Sequence, residues 1–476
     1  MTTETKRNIF ITTTLPYANG PMHIGAALEF VLADAITRKF RNIGHNVHLN
    51  IGLDQNGSKI LSKSRELGIP LEQYLTDIKE RWIDSCSKLE IGYDNFYETS
   101  SDEHRDQVQK IWKIFVDNGD IVLKDYSGKY CLGCESFKLD KDLVDGKCPD
   151  HPTTNIETIS EKNYFFGLDR YQDEIRKWIS EKSPFIPSHK ENEVENFIEE
   201  YKEISVSRNR SADIVGIEVP DSADQIVYIW AEALLNYYIA CSKWKDWNDC
   251  EIIQTFGPDN NRFQSHIFQA FLASLKKKNT DRLLVHGTVL DRDGRKISKT
   301  LGNVVDPIEQ SEKFGTNAVR YYCLAGLNTY ADSGWNESDL TNLFNSDICN
   351  DWGNLISRTL HLIETKNIGF QSPETEFKKS VDDRIKESEG LWESFRIRES
   401  LQKANSLVKF GNQYINTNSP WSKEKTETEI SAVLNNLHYL LKETNRIYLP
   451  VFPSINPLID VALESRKKII PFDKIK

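Results

Sequence analysis

The feature that most constrains this chain is the order of its first fifty-odd residues, which read strand, turn, helix, strand. Asn8 to Thr14 is short and β-branched. Leu28, Val31, Leu32, Ala35, Ile36 and Phe40 recur at helical spacing, and Val47, Leu49 and Ile51 alternate. Two strands joined through a helix lie parallel in one sheet, and such a sheet opens a ligand crevice at the carboxyl ends of its strands. The first crossing from strand to helix, Pro16-Tyr17-Ala18-Asn19-Gly20-Pro21, is made of turn residues.

A second α/β block is expected from about Ile214 to Leu324. Its strands read as Gln225 to Trp230, Glu251 to Phe256 and Arg282 to Leu290, with a helix carrying Phe263, Ile267, Phe271, Leu272 and Leu275. Between the blocks, Ile121 to Arg208 breaks the rhythm and holds a cluster of cysteines. After about Ser346 strand signals fade and helical spacing takes over, as in Leu401, Ala404, Leu407, Val408, Tyr414 and Ile415. The expected architecture is α/β, a split Rossmann-type, doubly wound parallel sheet followed by an α-helical bundle. Its expected segments are 1–120 and 214–345 for the two halves of the sheet domain, 121–213 for the insertion and 346–476 for the bundle.

At 476 residues, 39% hydrophobic and 28% charged, the chain has ample material for several cores. No apolar run is long enough to span a bilayer and the start carries no signal-peptide pattern, so a cytoplasmic protein without membrane contact is expected. The net charge of −11 argues against a nonspecific cationic coat for nucleic acid. From Asp347 onward 19 Lys/Arg face 18 Asp/Glu, so a polyanion would be met locally and at that end.

Two segments carry chemistry. His23-Ile24-Gly25-Ala26 stands where a strand hands over to a helix, a place where backbone N–H groups and the helix dipole favour anions. Gly25 lets the backbone approach a ligand, and His23 can donate to a phosphate oxygen. Far downstream, Lys296-Ile297-Ser298-Lys299-Thr300 follows a strand on a Gly-flanked loop, and its two lysines could neutralise charge at a polyphosphate.

In this order and on this fold, the pair resembles the two ATP motifs of class I aminoacyl-tRNA synthetases. Leu15-Pro16-Tyr17-Ala18-Asn19-Gly20-Pro21, Gly52-Leu53-Asp54-Gln55-Asn56-Gly57, Tyr228-Ile229-Trp230-Ala231-Glu232-Ala233-Leu234 and Phe256-Gly257-Pro258-Asp259 narrow the resemblance to the methionyl-tRNA synthetase family. The resemblance runs from about Asn8 to Pro450 and implies ATP-dependent ligation of methionine to tRNA(Met), with Mg²⁺ accompanying ATP. It places Pro21, His23, Gly25, Lys296, Ser298 and Lys299 at ATP, with His23, Lys296 and Lys299 as the catalytic members. Leu15, Tyr17, Trp230, Ala233, Tyr237 and Gln264 fall at the amino-acid pocket, where aromatic walls suit a polarizable thioether. Asp54 falls where a carboxylate receives the α-ammonium. Asn354, Arg358 and Trp421 fall at the anticodon-reading positions, and Trp421 can stack on an unpaired base.

Cys131-Leu-Gly-Cys134, thirteen further residues, and Cys148-Pro-Asp-His151 supply three thiolates and an imidazole at the spacing of a zinc knuckle pair. Four ligands with no open position imply one structural Zn²⁺, as in the single-zinc form of the family's insertion. No appended domain is expected after the bundle, and a monomer is expected.

The chain also departs from the pattern of the family it resembles. Ala26 stands where the first motif has its last histidine, and loss of one transition-state donor typically costs about 3–4 kcal/mol, or ~10²- to 10³-fold in rate. Asn56 replaces a histidine, Gln264 a pocket histidine and Asn260 an apolar pocket residue. Milder changes are Glu232 for Asp, Pro258 for Lys, Ile297 for Met and Thr300 for Ser. The added amides open one competing reading, a paralogue activating another amino acid for tRNA-dependent biosynthesis. Ala26 opens a second, a noncatalytic tRNA-binding protein.

Overall fold

The computed structural model describes residues 6–131, 136–138, 140–149, 154–297 and 302–475. Strand β1 (Asn8–Thr13), helix α1 (Ile24–Asn42) and strand β2 (Asn46–Leu53) form the expected unit, with β1 parallel to β2 in the register Ile9 to Val47. The main sheet is six-stranded and parallel throughout. Its order is Asn95–Glu98, β2, β1, Glu251–Phe256, Arg282–Val285 and Phe185–Ile186. The order in which strands are added reverses between β1 and Glu251–Phe256, which is where such a sheet opens its crevice. The strand Phe185–Ile186, from within the 121–213 segment, closes one edge of this sheet.

Elsewhere in that segment, Ile121–Cys131 and Ile156–Gly167 pair antiparallel along their whole length. Ser136–Lys138 and Glu203–Ser205 flank them in a separate four-stranded sheet. Gln225 to Trp230, expected as one strand, is instead a junction. Ser222–Val227 is the strand, paired antiparallel in a small sheet, and a helix runs Ile229–Trp244. The Tyr228 carbonyl accepts from Ala231 and Glu232, and the 3.6-residue repeat of Leu234, Leu235, Ile239 and Ala240 outweighs the β-branched start. Arg282 to Leu290 likewise divides into Arg282–Val285 and Val289–Leu290 around Gly287, whose Cβ would meet the Ala331 carbonyl at 2.1 Å.

The helical half is built from Asn354–Thr365, Thr375–Glu393, Ile397–Asn418, Glu427–Tyr448 and Asn456–Ser465. Leu401, Ala404, Leu407 and Val408 pack with Leu434, Leu437 and Leu441 in its core. A capping box fixes the start of Glu427–Tyr448: Thr426 accepts from the Glu429 N–H, and the Glu429 side chain accepts from the Thr426 N–H. Among the described residues no helix is long and apolar enough to cross a membrane.

One buried cation joins the two halves. Arg320, without solvent exposure, donates to Asp34 Oδ2 at 2.6 Å, to the Val451 and Pro450 carbonyls at 2.9 and 3.1 Å, and to the Leu89 carbonyl at 2.9 Å. Asp34, midway along α1, also receives Arg38 Nε and the Gly92 N–H, each at 2.9 Å. Removing one partner of such a pair strands the other charge in a dry interior, at a cost of about 3–5 kcal/mol. Arg320→Met is therefore expected to lower the unfolding free energy by that amount. Arg320→Met combined with Asp34→Leu should lose less than the two single changes together, as read by urea or thermal unfolding; simple additivity would contradict the pairing.

Candidate functional site

His23 is the N-cap of α1, and its Nδ1 accepts from the Ala26 N–H at 3.2 Å. With Nδ1 occupied as acceptor, the proton of the neutral ring sits on Nε2, which can donate to an anion at the helix start. The next orphan donor of the helix, the Ile24 N–H, bonds to the Val305 carbonyl at 3.0 Å. Val305 lies six residues beyond Lys299, so this bond draws the chain just past the lysine segment against the histidine segment.

The lysine segment has an organiser that the sequence reading did not single out. Asp291 accepts from the Asp293 and Arg295 N–H groups, from Arg295 Nε and from Asn303 Nδ2, all at 2.9 Å. Asn303 and the Arg295 backbone lead the bonds that hold its carboxyl down at about 2. Lys296 Nζ meets Asp259 Oδ2 at 2.8 Å with both side chains largely exposed. Lys296 thus reaches across to the turn that follows the strand Glu251–Phe256. Ser298 and Lys299 lie outside the described residues.

On the amino-acid side, two crossings are stitched together: Asp54 N–H donates to the Pro16 carbonyl at 3.0 Å, and Ala18 N–H to the Asp54 carbonyl at 2.8 Å. Thr99 Oγ1 and the Asn56 N–H donate to Asp54 Oδ1 at 3.0 and 3.3 Å, aiming the carboxylate. Gly57, at φ 107°, has no room for a side chain, because a Cβ would come 2.0 Å from the Tyr17 hydroxyl. Trp230, Ala233 and Tyr237 recur at helical spacing on Ile229–Trp244, so they share one face. Trp230 stacks on Phe263 at 4.3 Å, Tyr237 sets its edge to Phe268 at 5.4 Å, and Leu15 and Tyr17 pack against the same cluster. Gln264 Nε2 donates to the Tyr237 hydroxyl at 2.6 Å. The structure therefore gathers Leu15, Tyr17, Trp230, Tyr237 and Gln264, and Pro21, His23 and Gly25 follow on the same crossing.

Two buried pairs near this face escaped the sequence reading, because each joins residues distant in the chain. Glu29, on α1, accepts from Thr14 Oγ1 at 2.7 Å and meets His286 Nε2 at 3.1 Å, while His286 Nδ1 donates to the Gly287 carbonyl at 2.8 Å. Burial works against charge on His286, but Glu29 outweighs it and the pKa ends above the usual histidine value. In the second pair, Glu232 Oε2 lies 2.5 Å from His104 Nε2, Asn56 Nδ2 donates to Glu232 Oε1 at 2.7 Å, and His104 Nδ1 lies 2.9 Å from the Tyr97 hydroxyl. Asn56, in place of the usual histidine, thus serves to hold Glu232.

The pieces expected at the anticodon also meet. Asn354 and Arg358, one turn apart on Asn354–Thr365, share a face. Arg358 lies over the Trp421 ring at 5.3 Å and donates to Asn416 Oδ1 at 3.1 Å, while Trp421 remains 46% exposed. Cys131 ends the strand Ile121–Cys131, and Cys148 follows the turn Val144 to Lys147. Both are fully buried, whereas Cys134 and His151 lie outside the described residues. Among the described residues no cluster of three metal-binding side chains forms.

Burial pushes the Glu232 carboxyl up to about 8 and the His104 imidazole down to about 3. At neutral pH Glu232 is therefore a neutral acid donating to His104 Nε2. An unfolded glutamate ionises near 4.5. The unfolded state thus gains first as pH rises, and stability falls up to about pH 8. An unfolded histidine, near 6.5, produces the opposite slope below that pH, so of this pair only Glu232 acts from about pH 6.5 to 8, where the raised pKa of His286 adds a fall of the same sign. Glu232→Gln, which keeps both hydrogen bonds, should make the fall in melting temperature over that window shallower, leaving the part due to His286. An unchanged slope would show Glu232 ionised in the fold. Glu232→Ala should cost about 1–3 kcal/mol.

Comparison with known proteins converges on one family. The profile described as tRNA synthetases class I (M) matches residues 9–157 and 152–360, and that of the anticodon binding domain of methionyl tRNA ligase matches 366–473. A methionine–tRNA ligase of Fusobacterium nucleatum is 31% identical over 99% of this chain and 77% of its own length. One from Caldanaerobacter subterraneus is 34% identical over 94% and 73%. Mycobacterium tuberculosis methionyl-tRNA synthetase, solved in complex with methionyl-adenylate, superposes with a TM-score of 0.88 at 25% identity, covering 95% of this chain and 93% of that one. With two family profiles spanning nearly its whole length and a relative 34% identical over 94% of it, this chain belongs to the methionyl-tRNA synthetase family of class I aminoacyl-tRNA synthetases.

Proposed function

We propose that the chain is a methionine–tRNA ligase whose adenylation site lies between the start of α1 and the Lys296 loop. The observation that carries the proposal is the Ile24 N–H to Val305 carbonyl bond, which holds the chain six residues past Lys299 against the start of α1, just after the crossing that bonds to Asp54. Asp54 receives the α-ammonium of methionine. The methionine carboxylate attacks the α-phosphorus of Mg-ATP, a P–O bond forms, the anhydride to the β-phosphate breaks and pyrophosphate leaves. The terminal ribose hydroxyl of tRNA(Met) then attacks the acyl carbon, giving the ester and releasing AMP. His23, Lys296 and Lys299 stabilise charge on the phosphates, with Pro21, Gly25 and Ser298 shaping the ATP cradle. Positioning and charge neutralisation supply most of the rate.

Amino-acid-dependent ATP–pyrophosphate exchange over all twenty amino acids tests this reading. Exchange with methionine is expected. Exchange with another amino acid alone would favour the paralogue suggested by Asn56, Asn260 and Gln264, and none at all, with tRNA binding retained, would sink both enzyme readings. Ala26 is 7% exposed at the third position of α1, so no side chain there reaches the phosphates. Ala26→His is expected to raise exchange by about 10²-fold; an unchanged or lower rate would show a site rebuilt around alanine. Arg358 already stacks on the exposed Trp421 indole, an arrangement that suits an unpaired anticodon base. Trp421→Ala should weaken charging of tRNA(Met) at least tenfold more than exchange, and equal losses would make Trp421 merely structural.

We also infer that Cys131, Cys134, Cys148 and His151 hold one structural zinc ion, which would cross-link the outer lobe by tetrahedral ligation. Cys131 and Cys148 are fully buried, and three thiols and an imidazole at knuckle spacing are the donor set of a closed structural site. Metal analysis should find one zinc per chain, lost in Cys148→Ser together with the lobe's protection from proteolysis. A metal-free chain with an intact lobe would contradict the assignment.

A further inference from the structure

Behind Tyr237 a file of buried polar side chains leads away from the pocket: Gln264, Gln254, Thr280 and Gln269, each at most 2% exposed. Gln264 and Gln269 sit on the helical turn after the sheet's switch point, Gln254 in the strand Glu251–Phe256, and Thr280 just before the strand Arg282–Val285. The direction of every bond in the file follows from its far end, where the donor is a backbone group and cannot be reversed. The Thr280 N–H donates to Gln269 Oε1 at 3.0 Å, so the other end of that amide, Nε2, is a donor. It donates to the Gln264 carbonyl at 2.8 Å, an acceptor only, and to Thr280 Oγ1 at 3.0 Å. The Thr280 hydroxyl proton then goes to Gln254 Oε1 at 2.8 Å, Gln254 Nε2 donates to Gln264 Oε1 at 2.8 Å, and Gln264 Nε2 donates to Tyr237 Oη at 2.6 Å. Flipping the Gln254 and Gln264 amides together would strand the Thr280 hydroxyl proton in a dry site, a penalty that decides the direction.

We infer that Gln269, Thr280, Gln254 and Gln264 form a one-way hydrogen-bond relay that fills the acceptor side of the Tyr237 hydroxyl and leaves its proton for the amino-acid side chain. Gln254 and Thr280 are thereby positioning residues for amino-acid selectivity. Among the described residues Tyr237 Oη donates to none. A histidine in place of Gln264 could present either face of its ring, whereas the glutamine is held in one orientation by three residues behind it. The pocket therefore favours a side chain whose tip accepts, such as a thioether or a carbonyl oxygen, over an equally long hydrocarbon. Side chains tipped with N–H groups alone are rejected, because two donors would face each other. This inference rests on the proposed reading that Tyr237 lines the amino-acid pocket.

The test compares methionine with norleucine, its isostere with a methylene for sulfur, by calorimetric binding and by exchange kcat/KM. Wild type, Thr280→Val, Gln254→Met and Thr280→Ser are measured. Thr280→Val and Gln254→Met are expected to reduce the preference for methionine about tenfold, the worth of one hydrogen bond, with the KM for ATP unchanged. Thr280→Ser, which keeps the hydroxyl, retains the preference. Should Thr280→Val fail to fold, Gln254→Met reads the same relay from the next position. A preference unmoved in the folded variants, or lost equally in Thr280→Ser, overturns the relay while leaving the pocket. A wild type that binds neither amino acid fails the pocket reading, and the relay's role falls with it.

Discussion

Arg320 and Asp34 are both fully buried, and an ion pair without water persists only where the remaining donors and lone pairs are also met. Here they are met by pieces from across the chain. The carbonyls of Pro450 and Val451 come from the end of the helical half, that of Leu89 from the segment before Asn95–Glu98, and the Gly92 N–H completes Asp34. Asp34 lies on α1, so the helix that begins at His23 is pinned at its middle to the bundle that carries Trp421. A second contact, Lys39 to Glu389 at 3.5 Å, ties the end of the same helix to Thr375–Glu393. The proposed adenylation site and the proposed anticodon surface are thus referred to one helix.

With α1 fixed, the site assembles at its start through backbone bonds more than through side chains. The Ile24 N–H takes the Val305 carbonyl, Asp54 and the Pro16 to Ala18 strip exchange bonds, and His23 caps its own helix. This explains how the chain tolerates several departures from its family at once. Ala26 leaves the first turn intact because His23 supplies the cap. Asn56 keeps a bond to Glu232 that also steadies the neighbourhood of Asp54. Gln264 substitutes a relay of amides for a ring. The scaffold is retained, and the changes fall on how charge and protons are presented.

Much of this was legible in the sequence. The first βαβ unit follows from the repeat of Leu28 to Phe40 between a short β-branched run and an alternating one, and the helical half from spacings such as Leu401, Ala404 and Val408. The nucleotide and pocket residues followed from motif resemblance; Leu15, Tyr17, Trp230, Tyr237 and Gln264 gather in one cluster, and Lys296 reaches Asp259. What was not legible has a physical reason in each case. Gln225 to Trp230 reads as a strand because its residues are β-branched and aromatic, yet the helix repeat that follows captures Ile229 and Trp230. Phe185–Ile186 is too short to announce itself as a sheet edge. Asp34 with Arg320, Glu29 with His286 and Glu232 with His104 are pairs across 286, 257 and 128 positions, which no local pattern encodes. The relay had one available signal, a glutamine at 254 between the apolar Ile252–Ile253 pair and Phe256, which by itself does not reveal its partner.

The central claim is that the histidine and lysine segments form one site that joins methionine to AMP. The most direct measurement is single-turnover trapping: the protein at substrate-level concentration is mixed with radiolabelled methionine and Mg-ATP in the presence of pyrophosphatase, and the protein-bound product is isolated. One equivalent of methionyl-adenylate per chain, absent in Asp54→Asn, is the predicted result. No bound adenylate at saturating methionine and ATP, from a chain that still binds tRNA, would contradict it.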